Sequence, residues 1–95
     1  MTVTLCIHYT GQLASLLGIA EEFMEVEPGT RLQAVVERIL SRHGAKAEPF
    51  FRGREGGLPA TLLVIFDGEQ VDGDRSGRDV TGVRDLMFMS PMAGG

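Results

Sequence analysis

The feature that most restricts the fold of this chain is one long amphipathic helix, which the pattern predicts over residues 30–43. Thr30 followed by Gln33 is typical of a capping box at the start of a helix, and Gly44 is typical of a left-handed stop at its end. Apolar residues recur at the spacing of a single helix face: Leu32, Val35, Val36, Ile39 and Leu40. Such a face has to be buried, so the remaining segments must supply the surface that covers it.

Two segments before the helix alternate in polarity with the two-residue period of a half-buried strand. The first spans residues 2–9 and has four inward residues: Val3, Leu5, Ile7 and Tyr9. The second spans residues 21–27, with Met24 and Val26 inward and a Glu-rich face toward solvent. Between them the sequence predicts one short helical turn that buries its apolar residues: Leu13, Leu16, Leu17 and Ile19.

The segment that follows the helix begins with a predicted loop at residues 45–57, anchored by the Phe50-Phe51 pair. Residues 58–67 then contain the apolar run Leu-Leu-Val-Ile-Phe, which favours a strand buried on both faces and central in a sheet. The Asp67-Gly68 pair predicts a tight turn that leads into a short return strand.

A polar loop is predicted at residues 72–79, and its acidic spacing does not match a calcium site because Arg75 and Arg78 interrupt it. The last strand is predicted at residues 85–89. Its inward residues are Leu86 and Phe88, and its outward residues are Met87 and Met89. An exposed methionine pair is a docking patch of the kind that adapts to a protein partner, unless a neighbouring loop covers it.

This order of elements predicts an α+β domain with a mixed sheet and one main helix on one sheet face, the ubiquitin-like β-grasp. Residues 1–89 are assigned to the domain and residues 90–95 to a flexible C-terminal tail. With 95 residues, 43% of them hydrophobic, the chain has enough material for one core, and we expect no second domain.

The charge balance indicates which kind of partner the chain suits. The formal net charge is −4, with nine basic and thirteen acidic residues, which argues against a nucleic-acid partner and suits a basic protein partner. No segment has the pattern of a membrane span or a signal peptide, so we expect no membrane association and a cytoplasmic location.

Cys6 is the only cysteine, which excludes an internal disulfide and a cysteine-rich zinc site, and we expect no bound metal. His8 lies on the same strand face. We interpret Cys6 as a structural strand residue because no accompanying His/Asn pattern is present, although a nucleophilic role stays open. His43, at the end of the helix, is interpreted as a favourable charge for the helix dipole.

The tail, Ser90-Pro91-Met92-Ala93-Gly94-Gly95, has the properties of a segment that is presented to another protein. Pro91 should end the last strand, because proline cannot donate to a sheet ladder. Six extended residues reach roughly 20 Å at about 3.3 Å each, and the two glycines can pass a narrow channel. The alternative is an ordinary disordered terminus.

At this point the chain resembles the MoaD/ThiS sulfur-carrier family, and within it the small subunit of molybdopterin synthase. The matching segments are Leu13-Ala14-Ser15-Leu16-Leu17-Gly18, Pro28-Gly29-Thr30, Asp67-Gly68-Glu69 and the ending from Phe88 to Gly95. The chain departs from the family pattern at residues 81–85, which lack the usual acidic stretch, and at Gln70, where an apolar residue is usual.

The resemblance implies a carrier that is not itself an enzyme. An E1-like enzyme would adenylate Gly95 with ATP, and a sulfur donor would convert the adenylate to a thiocarboxylate that the large synthase subunit, or another sulfur-acceptor enzyme, consumes. ATP, magnesium and zinc would belong to those partners, and the chain would bind no cofactor itself. Gly94 and Gly95 would be the reacting end, and five residues would contact partners: Met87, Met89, Pro91, Met92 and Ala93.

Three functions stay open from the sequence. The first is the sulfur carrier, serving molybdopterin synthesis or a different pathway such as cysteine, thiamine or secondary-metabolite synthesis. The second is a ubiquitin-like modifier that forms isopeptide bonds through Gly95, for which the single lysine, Lys46, makes self-chains an unfavourable outcome. The third is a β-grasp interaction module in which the terminal glycines have no role.

Overall fold

A computed structural model describes residues 1–53, 57–73 and 75–90. The strands are β1 (Val3–Tyr9), β2 (Glu21–Val26), β3 (Leu63–Phe66), β4 (Glu69–Gln70) and β5 (Asp85–Met89). The helices are α1 (Gly11–Leu17), α2 (Leu32–His43) and α3 (Glu48–Phe51), and a 3₁₀ turn at Gly44–Ala47 joins the last two. None of the helices among the described residues is both long enough and apolar enough to cross a membrane.

The five strands form one mixed sheet in the order β2-β1-β5-β3-β4. The first and last strands, β1 and β5, are parallel neighbours, and the other pairs are antiparallel. The prediction that residues 58–67 form the central strand is therefore wrong, because β5 holds that place. Parallel neighbours need a long crossover connection, which here contains α2 and the three strands other than β1 and β5.

The core lies between α2 and one face of the sheet. The buried side chains of α2 belong to the same hydrophobic cluster as the inward side chains of β1, β2 and β5, as the alternating patterns predicted. Val64, Val71 and Val80, from the second half of the chain, also belong to this cluster. The helix covers one face of the sheet, and no helix among the described residues covers the opposite face, which we call the open face.

The start of α2 differs from the predicted capping box. The helix begins at Leu32, and the hydroxyl of Thr30 donates to a backbone carbonyl three residues earlier at 2.6 Å rather than capping the helix. The backbone N–H groups of Leu32 and Gln33 donate instead to the carbonyls of Arg78 and Ser76, at 2.8 and 2.9 Å. A distant loop therefore satisfies the first orphan donors of the helix, which local sequence does not reveal. At the other end α2 stops before Gly44 as predicted, but Gly44 is not in the left-handed helical conformation, because its φ of 80° is combined with a ψ of −162°.

The predicted loop at residues 45–57 is partly helical. The 3₁₀ turn and α3 occupy residues 44–51, and Pro49 lies in the first turn of α3, where a proline costs little. Phe51 is 1% exposed and meets the ring of Phe88 edge to face at 5.0 Å between centroids. The predicted anchor is therefore part of the main core. Residues 54–56 of this loop lie outside the described residues.

Two further predictions need correction. Strand β3 is only four residues long, and it is buried on one face: Val64 is fully buried, whereas Leu63 and Ile65 are partly exposed. The reason is that no element among the described residues lies over the second face. In α1, Leu13 and Leu17 are buried as predicted, but Leu16 is 38% exposed because it lies on the other side of the short helix.

The turn at Asp67-Gly68 is confirmed. Both residues have positive φ, 49° and 88°, which is the conformation that a two-residue hairpin of type I′ requires. The carboxylate of Asp67 accepts backbone N–H bonds from Arg84 at 3.1 Å and from Asp85 at 2.9 Å. This hairpin therefore also fixes the start of β5.

Candidate functional site

The open face of the sheet carries an apolar patch, which we define as Leu63, Ile65, Met87 and Met89. Strand register places these residues in two pairs across β3 and β5, Leu63 beside Met89 and Ile65 beside Met87. All four are partly exposed. Side chains of alternating residues point to one face of a sheet, so the four form one continuous apolar surface.

The two methionines lie where the sequence predicted them. Both point outward from β5, the central strand, and both keep part of their surface exposed. The predicted tail contacts, at Pro91, Met92 and Ala93, and the predicted reacting end, at Gly94 and Gly95, lie outside the described residues.

Sequence reasoning missed Leu63 and Ile65. Their alternation was hidden inside an unbroken apolar run, since the neighbouring inward residues Leu62 and Val64 are also apolar and are buried in the core. The signal that could have found them was the need for one face of β3 to stay open once a single helix covers the sheet.

The end of β5 is held beside the turn between β1 and α1. The hydroxyl of Thr10 donates to the carbonyl of Phe88 at 3.4 Å. Gly11 has a φ of 59°, and a Cβ built on it would lie 3.9 Å from the carbonyl oxygen of Ser90. These contacts hold Phe88 and Ser90, the first residue of the tail, beside the start of α1.

A polar cluster occupies the neighbouring part of the open face. The Nε2 atom of His8 lies 2.9 Å from Oδ1 of Asp85, and Nδ1 of the same ring lies 3.6 Å from Oε1 of Glu21. Cys6 lies beside them: one ligand atom from each of Cys6, His8 and Asp85 falls within 4.8 Å of the other two. We call these three residues the Cys6–His8–Asp85 cluster.

The environment of Cys6 keeps its thiol protonated. Burial raises the pKa of the Cys6 thiol, and the negative charges of Glu21 and Asp85 raise the pKa further. A neutral thiol is a weak nucleophile, which agrees with the interpretation of Cys6 as a strand residue rather than a catalytic one. The sequence placed Cys6 and His8 on one face, but Asp85 is 77 residues away from His8 and joins them only through the parallel pairing of β1 with β5.

On the core side of the sheet, His43 does more than complement a helix dipole. Its Nε2 atom lies 2.8 Å from Oε2 of Glu22, and its ring meets Tyr9 edge to face. The hydroxyl of Tyr9 and the guanidinium of Arg42 donate to the same carboxylate. Burial alone would raise the pKa of Glu22, but these hydrogen bonds outweigh burial and hold the pKa below its ordinary value. This network ties the end of α2 to β1 and β2.

Comparisons with known proteins place the fold. No family model matches the chain, and no curated protein matches it. Among solved structures, SAMP1 from Haloferax volcanii superposes with a TM-score of 0.81 at 18% identity, over 98% of this chain and 100% of that one. Urm1 from Trypanosoma brucei superposes with a TM-score of 0.73 at 16% identity, over 99% and 97%.

A third structure, a Pyrococcus furiosus protein assigned as molybdopterin converting factor subunit 1, gives a TM-score of 0.66 at 18% identity, over 95% of this chain and 99% of that one. The mixed five-stranded sheet, the single main helix and these likenesses define the chain as a ubiquitin-like β-grasp protein. The resemblance seen in the sequence is thereby confirmed at the level of the fold, within the structural group that includes small archaeal modifier, molybdopterin converting factor and Urm1 proteins.

Proposed function

We propose that this chain is a ubiquitin-like sulfur carrier whose C-terminal Gly95 is activated by an E1-like enzyme and converted to a thiocarboxylate. The observation that carries the proposal is the continuity of β5, which passes through the apolar patch and leads at Ser90 into the sequence Pro-Met-Ala-Gly-Gly. A recognition surface and a reactive end are thus joined by one short segment. The carrier catalyses no step by itself.

The chemistry needs activation because a free carboxylate is a poor electrophile. Transfer of AMP from ATP to the Gly95 carboxylate releases pyrophosphate and creates a mixed anhydride. Sulfur delivered by the donor at the oxidation level of sulfide then attacks the acyl carbon, and AMP leaves with the electrons of the broken carbon–oxygen bond. The resulting thiocarboxylate sulfur is a nucleophile at the end of a recognisable protein. ATP, Mg²⁺ and Zn²⁺ belong to the partners in this scheme.

The apolar patch is the surface that the activating enzyme and the acceptor enzyme would contact in turn. Leu63, Ile65, Met87 and Met89 present apolar area without a charged side chain among them, and methionine packs adaptably against different surfaces. The net charge of −4 favours approach to a basic partner surface. Pro91, Met92 and Ala93 would extend the contact toward the partner's active site.

Molybdopterin synthesis is the pathway we favour for the sulfur. The support is the ending Phe-Met-Ser-Pro-Met-Ala-Gly-Gly, together with the likeness to the Pyrococcus furiosus converting-factor subunit. The acceptor would then be the large subunit of molybdopterin synthase. Supply of sulfur to cysteine, thiamine or secondary-metabolite synthesis is the alternative within the same chemistry.

A second candidate function is protein modification, in which Gly95 forms an isopeptide bond with a lysine of another protein. The observation that favours it is the likeness to structures described as small archaeal modifier protein 1 from Haloferax volcanii and Methanosarcina acetivorans. The two functions share the adenylation step and differ in the final nucleophile, which is a sulfur donor in one and a lysine amine in the other.

The decisive experiment is intact-mass measurement of the chain from its own cells with the activating enzyme present. Replacement of one terminal oxygen by sulfur at Gly95 is expected for the carrier. A matched variant carries one alanine after Gly95; it should fold normally and show neither adenylate nor thiocarboxylate. An unmodified terminus with no ATP-dependent adenylate would refute both candidate functions, whereas lysine-linked adducts in extracts without thiocarboxylate would favour the modifier.

The role of the apolar patch has its own test. Met89→Asp places a charge in the patch and should weaken binding to the activating enzyme by about tenfold or more, the loss typical of a central interface residue. Thr4→Asp is the matched control, because Thr4 is exposed on the same face of the sheet but outside the patch. Equal affinities for Met89→Asp and the unchanged chain in a calorimetric titration would remove the patch from this interface.

A further inference from the structure

We propose that the Cys6–His8–Asp85 cluster is a binding site for one Zn²⁺ ion on the open face of the sheet. The three side chains supply a thiol sulfur, an imidazole nitrogen and a carboxylate oxygen, and all three ligand atoms lie within 4.8 Å of one another. The proposal replaces the expectation of no bound metal, which was drawn from the absence of a cysteine-rich motif. It does not depend on the sulfur-carrier function.

The geometry suits a tetrahedral ion after small side-chain adjustments. With Zn–S near 2.3 Å and Zn–N and Zn–O near 2.0–2.2 Å, tetrahedral ligand atoms are separated by about 3.3–3.6 Å. His8 and Asp85 start closer than this, at 2.9 Å, because a hydrogen bond joins them, and the widest separation in the cluster is at most 4.8 Å. Changes of about 1 Å, which rotation about side-chain bonds provides, are enough to admit an ion.

The backbone that carries the ligands is held by the two central strands. Cys6 and His8 are two residues apart on β1 and so point to the same face. Asp85 lies directly opposite Cys6 in the parallel register of β1 and β5. The ligand positions are therefore set by sheet hydrogen bonds rather than by a loop, which is the more accurate way to hold a metal site.

Glu21 provides the outer-shell contact that metal-binding histidines commonly have. While Nε2 of His8 points toward Asp85, Nδ1 lies 3.6 Å from the Glu21 carboxylate on the neighbouring strand β2. In the metal-free chain Nε2–H donates to the Asp85 carboxylate, so ion binding requires the ring proton to lie on Nδ1 instead, on the side of the Glu21 carboxylate, which leaves Nε2 as the ligand atom. Phe23, opposite Cys6 on β2 and 61% exposed, forms an apolar wall beside the thiol.

The donor set selects for zinc over magnesium or calcium, because thiolate and imidazole are softer ligands than the oxygen atoms that those cations prefer. Binding breaks the S–H bond of Cys6, the proton passes to the buffer, and no electron is transferred.

The charges around the cluster are of both signs. Glu21 and Asp85 add negative charge, while Arg84 lines the same surface depression and adds a positive charge that opposes cation binding. Solvent reaches the cluster, since the His8 and Asp85 side chains are 28% and 59% exposed. A fourth ligand position is left for water or for a donor from a partner.

The test is titration of the untagged, reduced chain with its ordinary carboxylate terminus, using Co²⁺ and then Zn²⁺ as probes. We expect one Co²⁺ per chain, a thiolate-to-cobalt charge-transfer band in the near ultraviolet, and displacement of Co²⁺ by Zn²⁺. Because no activated terminus is used, failure of this site and failure of the sulfur-carrier function are distinguishable.

Variants assign the ligands. Cys6→Ser should abolish the charge-transfer band. His8→Gln and Asp85→Asn should each weaken Zn²⁺ binding by more than tenfold. Glu21→Gln should weaken Zn²⁺ binding by about tenfold, the lower end of the loss in affinity that is usual for a residue contacting a metal ligand rather than the metal. Glu25→Gln is the matched control on the same face, where the carboxylate accepts a hydrogen bond from Thr2, outside the cluster. Circular dichroism of the metal-free variants verifies folding. No saturable uptake of either metal, a band that survives Cys6→Ser, or equal affinities for Asp85→Asn and Glu25→Gln would overturn the proposal.

Discussion

Truncation of Phe51 tests the largest difference between the sequence-based prediction and the structure. In the predicted loop this residue would be a local anchor, whereas in the structure it is 1% exposed and packs edge to face on Phe88 at 5.0 Å. Phe→Ala at a buried site costs about 3–5 kcal/mol, including lost transfer energy and the cavity that remains. A domain of this length has a total stability of about 5–14 kcal/mol, so Phe51→Ala should remove a large share of it.

The measurement is urea unfolding at neutral pH, supported by a thermal melt in which the Tm should fall by at least about 12 °C, since each kcal/mol shifts it by about 4–8 °C. Phe50→Ala is the matched control, because Phe50 is the adjacent residue, undergoes the same chemical change and is only partly buried. Burial of a whole Phe side chain contributes about 1.5–3 kcal/mol, so this variant should lose about half of that. Equal losses for both variants would refute the placement of α3 against the core.

Three further perturbations follow from particular contacts. Tyr9→Phe removes the hydroxyl that donates to Glu22 at 2.5 Å and should lower the free energy of unfolding by about 1.5–3 kcal/mol at pH 7. Because the folded pKa of Glu22 is lowered, the contribution of its carboxylate to the free energy of unfolding is present above the unfolded pKa of 4.5 and is lost as the pH falls through the folded pKa. The difference in free energy of unfolding between Tyr9→Phe and the unchanged chain, measured by urea unfolding, should therefore become smaller toward pH 3. A difference that does not change with pH would contradict this role. Arg75→Met removes a guanidinium that donates to the backbone carbonyls of Leu62 and, at 2.8 Å, of Pro59. We expect the free energy of unfolding to fall by about 1.5–3 kcal/mol and hydrogen exchange to become faster in the segment before β3. Unchanged exchange in that segment would argue against the contact. Gly68→Ala, at a φ of 88°, should lower the free energy of unfolding by about 1–2 kcal/mol in urea unfolding. Gly82→Ala, where φ is not positive and an added Cβ has no atom within 4 Å, should lower it by less than about 0.5 kcal/mol. Similar losses for the two variants would refute the assigned turn.

Local pattern predicted the elements whose periodicity is strong. The alternation of β1, β2 and β5 and the apolar face of α2 were all visible in the sequence, because each element buries one face against the same core. The turn at Asp67-Gly68 was visible for a different reason, since its conformation depends on residues that tolerate positive φ.

Prediction failed where a distant segment decides the local structure. The start of α2 depends on carbonyls of Ser76 and Arg78, and α3 exists because Phe51 reaches the core next to Phe88. The apolar run around β3 could not reveal which of its faces would be left open. In each case the deciding partner is many residues away, so a reading of local propensity cannot include its contribution.

Short-range periodicity and residue type are sufficient to predict the class of fold and the outward direction of Met87 and Met89. The central position of β5, the pairing of Leu63 and Ile65 with the methionines, and the place of Asp85 beside Cys6 and His8 depend on contacts between distant segments. The physical reason is the parallel pairing of the first and last strands, which brings residues from the two ends of the domain into adjacent positions on one face.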